Sequence, residues 1–263
     1  MKSLRLTACR AIGMVCLSWA FTWASARASS AEPIDTDGPD FVESSESVPQ
    51  GRFQYEIDFM AVHDRRSGRN GSAFSTPSLL KYGISKNLEL RAAPEGYVHQ
   101  DGHSGLGDTA FGLKWHSQDR DASAGRPAVS WILHFDTPSG AASLRGAGIR
   151  PSLRSVVTWD LPRDLSLGVM PGLKHDSDGQ GRQFNPLIFG TVLNKRFSER
   201  LRGFVELSAP QIARARDGGV VADWDVGAAY LLNDDLQVGA RAGIAANRNT
   251  PAAYVLLEVA QRF

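Results

Sequence analysis

The stretch "YLLNDDLQVG" at residues 230–239 has two near-copies, "YGISKNLELR" at 82–91 and "WDLPRDLSLG" at 159–168. Each puts an aromatic residue (Tyr82, Trp159, Tyr230) two positions before an Ile or Leu (Ile84, Leu161, Leu232). A polar turn follows, and a leucine six residues after the aromatic (Leu88, Leu165, Leu236) restarts an alternating run. The same hairpin, made several times and always introduced by an aromatic, is the periodic unit of an antiparallel meander. Its turn residues, Lys86-Asn87, Arg163-Asp164 and Asp234-Asp235, supply local hydrogen bonds and tolerate unusual backbone angles.

Working outward, the segments flanking these turns have period two. Residues 53–61, "FQYEIDFMA", alternate Phe53, Tyr55, Ile57, Phe59 and Ala61 with Gln54, Glu56, Asp58 and Met60. This is a strand with one apolar and one polar face. The pattern recurs at roughly 51–62, 75–84, 88–98, 106–117, 127–136, 150–161, 165–174, 186–196, 201–209, 220–232, 236–246 and 252–263. Most of these twelve segments suit a tilted strand crossing a bilayer, and twelve is the even number that single-chain bacterial barrels use. The connections alternate between long, such as "TPSGAASLRGAG", and tight, such as "PRD" and "NDD". Only "SQDRDASAGR" at 117–126 breaks the short class. Short periplasmic turns and longer outer loops fit a transmembrane barrel with both termini in the periplasm. The aromatics Tyr82, Trp159 and Tyr230 then form an interfacial girdle, because such rings prefer one end apolar and the other wet.

Residues 1–28 are set aside as a cleaved signal peptide. They carry Lys2, Arg5 and Arg10 without an acid, an apolar run of 14 residues at 11–24, and small residues before candidate cuts at Ala26, Ala28 and Ala31. Both cysteines, Cys9 and Cys16, leave with it, so neither disulfides nor thiolate–metal bonds hold the mature chain. Removing its four basic residues leaves 25 of the 29 Lys and Arg against 28 acids, a net charge of −3. No basic block remains, which excludes nucleic acid as a partner. The mature chain has no apolar run near the ~18 residues of a membrane helix, and mean hydropathy is −0.23. A hydropathy scan therefore reads as soluble, and only the alternation speaks for strands in a membrane. A soluble barrel of twelve such strands would have an interior too wide for side chains to fill. The polar face is rich in charge, glycine and alanine, as a wet lumen would be.

The chain ends in "VLLEVAQRF". This resembles the C-terminal signal read by the outer-membrane assembly machinery, a terminal aromatic (Phe263) after alternating apolar positions, although Gln261 departs from the usual apolar choice. Further, "DGPDFVESSESVPQGRFQYE" (37–56), "GLGDTAFGLKW" (105–115) and "DWDVGAAYLLNDDLQVGARAGI" (223–244) resemble the outer-membrane transporter family named after a phenol meta-cleavage degradation pathway. The resemblance spans about 32–263. It implies a barrel in outer-membrane lipid and an uptake role connected with aromatic degradation, without a defined substrate.

Lumen-lining candidates are the charges on the polar register: Glu56, Asp58, Arg91, Lys114, Arg154, Lys174, Glu206, Asp225, Arg241 and Glu258. They must pair, because an ion in a constricted lumen is costly uncompensated, and they shape which solutes pass. Residues 29–50 hold six acids, three prolines and no base. They read as a loose periplasmic lead-in, with a plug tucked against the inward arginines as the alternative; the barrel occupies 51–263.

The functional expectation is passive uptake of small solutes, small hydrophobic or aromatic compounds foremost, with no cofactor, metal or catalytic residue. A structural or adhesive barrel with a sealed lumen is the alternative, and an outer-membrane hydrolase the second. No serine stands two residues after a strand histidine, and "HD" at 63–64 and 175–176 are commonplace loop pairs. His99 and His103, four apart outside a helix, do not share a face as metal ligands would.

Overall fold

The computed structural model describes residues 32–65, 71–178 and 180–263. The signal peptide expected at 1–28 lies outside them. Among the described residues seventeen strands run in chain order: β1 (Phe53–Asp64), β2 (Gly71–Ser75), β3 (Ser78–Ser85), β4 (Leu88–Pro94), β5 (Tyr97–Gln100), β6 (His103–Leu106), β7 (Thr109–Gln118), β8 (Ala128–Thr137), β9 (Arg150–Leu161) and β10 (Leu165–Lys174). They continue with β11 (Asp176–Ser177), β12 (Gln183–Phe184), β13 (Leu187–Arg196), β14 (Leu201–Ile212), β15 (Val220–Asn233), β16 (Leu236–Ala245) and β17 (Ala253–Arg262). β2 leads into β3, β4 into β5 and β6 into β7, while β11 and β12 pair only with each other. Twelve antiparallel staves result, and β17 pairs with β1 from Gln54↔Arg262 to His63↔Ala253, which closes the barrel.

The staves follow the alternation closely, as at β10 and β9, whose bounds coincide with the expected 165–174 and 150–161. Three staves are interrupted where the pattern suggested none, at Thr76-Pro77, Glu95-Gly96 and Gly107-Asp108. Thr76-Pro77 separates β2 from β3, because proline brings no N–H to the ladder. Glu95-Gly96 separates β4 from β5, and Gly96 has φ 64°, a conformation that glycine adopts without penalty. Of the three repeated turns, only Arg163 and Asp164 take positive φ, 64° and 56°. The other two close without it.

One face of the wall is apolar and exposed. Trp115 pairs across the strands with Trp131, Leu113 with Leu133 and Phe111 with Phe135, all on the outside. Trp131 and Trp224 are exposed on this surface, not packed together inside. Tyr82 and Tyr230 are exposed and Trp159 half-exposed on the same face, near the short-turn rim. An apolar exterior over a charged interior inverts the soluble arrangement and is the pattern that lipid demands. At the same rim Phe263 donates its N–H to the Phe53 carbonyl at 2.7 Å, and the two rings lie 6.1 Å apart.

Candidate functional site: a charged lumen around residues 33–50

The lumen is occupied by the chain itself. The lead-in expectation for 29–50 does not describe residues 33–50, which enter at the short-turn rim, reach mid-barrel and return to β1. Ile34 donates to the Asp234 carbonyl at the rim, and Gln50 leaves by a bridge to Gly83. Between them Thr36, Asp37, Val42, Ser45 and Val48 are buried. The partners come from all around the wall, so the segment lies inside it.

Its acidic side chains, Asp40 apart, meet one arc of the barrel. Asp37 lies 2.9 Å from Lys81, 3.1 Å from Arg91 and 2.6 Å from Lys114. Glu43 bonds Arg154 and lies 2.6 Å from Arg91. Burial alone would raise both carboxyls, but the cations outweigh it. Arg91, Lys114 and Lys81 hold Asp37 well below the usual carboxylate range, and Arg154 with Arg91 lowers Glu43 to about 2. Near the rim, Arg120 joins Glu46 at 2.6 Å and Asp160 at 3.0 Å. Arg120 belongs to the one long turn on this side, so the departure from the short class at 117–126 delivers a cation to the segment.

The segment's backbone meets the opposite arc. Glu206 accepts the N–H groups of Phe41 and Val42, each at 2.8 Å. Elsewhere Glu56 accepts the Asp37 N–H at 3.1 Å and Glu89 that of Val48 at 2.8 Å. Lys114 donates to the carbonyls of Ser44 and Glu46, and His116 contacts that of Ser45 at 2.8 Å. Irregular backbone at membrane depth is tolerated only when its polar groups are satisfied by protein in this way. Val42 completes an apolar cluster with Ile132, Val156, Met170, Val192 and Phe204, all facing inward.

Of the sequence candidates, Glu56, Arg91, Lys114, Arg154 and Glu206 meet the segment directly. Arg241 lies 3.2 Å from Glu206 and over the Tyr254 ring. Asp225 accepts the Tyr254 hydroxyl at 3.1 Å. Glu258 is buried beside Gln237 and directly across the strands from Asp58. Lys174 stands apart at the long-loop end, 3.0 Å from both Asp136 and Asp176. The alternation count passed over Lys81 and Arg202, which holds Asp40 at 2.9 Å and the Gly38 carbonyl at 2.8 Å.

Other features escaped the sequence reading. The inward apolar cluster was visible as breaks in the alternation, at Ile132 above all. Two glycines read as signs of a wet lumen are places where the segment passes: a Cβ at Gly190 would lie 2.7 Å from Val42, and one at Gly239 would lie 2.7 Å from Pro39. A serine also meets a strand histidine, Ser104 Oγ lying 2.7 Å from His99 Nδ1 on the exposed β5–β6 hairpin. Pairing across a hairpin brings together residues that a search at two-residue spacing misses.

The tip, Phe41–Glu43, stands between two cavities. Towards the short turns is one of about 530 Å³, whose walls include Val42, Glu43, Arg120, Thr158 and Arg196. Towards the long loops is one of about 330 Å³, whose walls include Phe41, Pro94, His134, Asp136, Arg154 and Lys174. The arrangement can admit small solutes from either end, with a non-covalent partition between.

Residues 36–263 match the model of the family described as "Putative MetA-pathway of phenol degradation". No curated protein matches the sequence. Among solved structures, a crystal structure of an outer membrane channel from Pseudomonas putida F1 is similar at 12% identity, over 84% of this chain and 98% of that one, with a TM-score of 0.65. The KdgM porin in complex with disordered oligogalacturonate is similar at 8% identity, over 81% and 99%, with a TM-score of 0.54. At these identities the likeness is one of fold, and the fold is that of outer-membrane channels.

Proposed function

The chain belongs to this phenol-degradation family over residues 36–263, and from that premise we propose that it is an outer-membrane channel for passive uptake of small solutes, small hydrophobic or aromatic compounds foremost, gated by residues 33–50. The observation that carries the reading is the partition. A charged lumen with a cavity on each side is closed at mid-height by a segment held without covalent links, through ion pairs, hydrogen bonds and the apolar packing of Val42. The polar bonds can exchange for water and the apolar contact rests on Val42 and Phe41, so the segment can leave and return. Glu43 links Arg91 to Arg154, and Glu206 links Arg241 to the tip. Solute passage therefore requires the tip to move, and the lumen charges act on what passes once it has.

The test is solute uptake into loaded liposomes together with bilayer conductance, for the whole chain and for a variant lacking 33–50. The expected result is small conductance in the former and a several-fold rise in the latter. If neither conducts nor admits solute, the channel reading fails. The continuous ion pairing favours a second reading, a sealed structural barrel, and the same measurement separates them. Turnover of lipid or peptide substrates would point instead to a hydrolase.

The reading includes an orientation. Both termini face the periplasm, and the assembly machinery reads the strand ending in Phe263, which is exposed at the short-turn rim. Deleting Phe263 should lower the amount of folded, heat-modifiable protein in the membrane. Wild-type assembly of the truncated chain would remove this part.

A further inference from the structure

Near the short-turn end of β7 stands a histidine with an acceptor at each nitrogen. His116 is buried, its Nδ1 lies 2.8 Å from the Ser45 carbonyl oxygen and its Nε2 lies 2.9 Å from the Asp119 carboxylate. A neutral imidazole carries one N–H, and neither a carbonyl nor a carboxylate can donate. Asp119 stays a carboxylate, because the His116 bond and the Lys86 ammonium hold it below the usual range. Both bonds together therefore need the doubly protonated ring. His175 also has an oxygen at each nitrogen, but these belong to Asn185 and Gln183, whose amides can turn to present an N–H instead.

The two partners of His116 belong to different parts of the molecule. Ser45 is in the segment that fills the lumen, and Asp119 is in the long turn at 117–126. Lys114, two residues back on β7, donates to the carbonyls of Ser44 and Glu46. Glu46 of the segment lies 3.8 Å from Nδ1 and is held by Arg120 of the turn at 2.6 Å. Asp35 stands within electrostatic reach of Glu46 and Lys114, and Lys86 of the β3–β4 turn lies 3.7 Å from Asp119. On the neighbouring strands, Glu89 pairs across from Lys114 and holds the Val48 N–H, while the residue opposite His116 on β8 is the uncharged Ser130. Among the donors that hold residues 44–46, lysine and arginine keep their charge at neutral pH. Imidazole is the side chain that ordinarily changes charge between about pH 5 and 8.

We infer that His116 is a proton-dependent clamp, which ties residues 44–46 to the turn at 117–126 while its ring is charged and lets go as pH rises. The seated state needs a proton on each nitrogen, whereas a released ring in water does not. Seating therefore takes up a proton, and rising pH favours release. A ring with one N–H must give up either the Ser45 carbonyl or the Asp119 carboxylate, and either loss breaks the link between segment and turn. Ser44, Ser45 and Arg120 line the cavity of about 530 Å³, so release loosens the wall of that cavity. The inference rests on the gating reading in taking movement of the segment as what opens the lumen.

Nitrogen NMR of the full chain in detergent, with its histidines labelled, reads the ring without requiring conduction. The His116 signals, identified by their loss in His116→Gln, should show two protonated nitrogens at about pH 5 and one at about pH 8. Bilayer conductance should rise up to about tenfold across the same interval, the usual consequence of losing one hydrogen bond to a charged group. It should stay flat in His116→Gln, which cannot titrate. Asp119→Asn, at an exposed position, takes the counterion from the ring and gives a second variant should the glutamine not fold; it should move the rise to lower pH. The inference is overturned by a singly protonated ring at about pH 5, by a flat profile in a conducting wild type, or by the same rise in His116→Gln. If neither the wild type nor the chain lacking 33–50 conducts, the channel reading fails, and the NMR titration alone decides for or against the clamp.

Discussion

The two arcs of the lumen hold the same segment by different means. From β3 to β9 the wall presents Lys81, Arg91, Lys114 and Arg154, and these grip the carboxylates of Asp37 and Glu43. From β14 round to β17 it presents Glu206, Asp225 and Glu258, of which Glu206 grips the backbone N–H groups of Phe41 and Val42. Glu89 is the exception within the cationic arc, taking the Val48 N–H. On the cationic arc the identity of the segment's side chains matters. On the anionic arc its path matters, since any residue but proline brings an N–H, with the pair of Arg202 and Asp40 at 2.9 Å as the exception there. Breaking a buried ion pair on one side strands the other charge, whereas loss of an acceptor strands only dipoles.

That asymmetry orders the predictions. The largest effect should come from Asp37→Asn, which leaves Lys81, Arg91 and Lys114 short of a carboxylate. Breaking buried pairs in this way costs about 3–5 kcal/mol, to be read as a lowered denaturant midpoint of the folded, heat-modifiable form and a rise in conductance.

Acid should loosen the same arc. Asp37 and Glu43 are depressed in the folded chain, so their contribution is complete above the ordinary carboxylate range. It is lost as pH falls from about 4.5 towards the lowered value of about 2 at Glu43. Asp35 runs the other way, because burial raises its carboxyl and its protonation favours the seated segment. Conductance should therefore climb across this window in the wild type and climb less in Glu43→Gln, which has already lost that charge. A flat profile would remove the electrostatic latch.

A smaller effect is due on the anionic arc. Glu206→Gln keeps one acceptor for two N–H groups and takes one carboxylate from Arg241, which retains Asp225 as a neighbouring anion, and should cost about 1–3 kcal/mol by the same denaturation measurement. A greater cost than that of Asp37→Asn would reverse the comparison. The permeation readout stands apart from this ranking: Arg241→Glu adds to an arc already anionic and should shift reversal potentials towards cation selectivity, and because it strands the buried Glu206 carboxylate 3.2 Å away it should lower the denaturant midpoint as well.

Much of the wall could be read without coordinates, because lipid outside and charge inside impose a two-residue period on every crossing strand. The bounds of β9 and β10, the aromatics at 82, 159 and 230, and the inward register of Arg91, Lys114 and Glu206 all follow from that period. The interruptions at Pro77 and Gly96 were legible as residue types but not as events, because a proline or glycine can also sit harmlessly at a strand edge.

Residues 33–50 are the opposite case. Six acids and three prolines within 29–50 describe a segment unable to build a core of its own, and the sequence alone determined that much, along with the strands, their number and the face each one turns to lipid. Whether the segment stays in water or enters the lumen depends on partners far along the chain, such as Lys114 for Asp37, Arg154 for Glu43 and Glu206 for the Phe41 N–H. Period and composition are local properties of the chain. Neutralising buried charges is a property of the closed ring, and only closure brings those cations and acceptors around one segment.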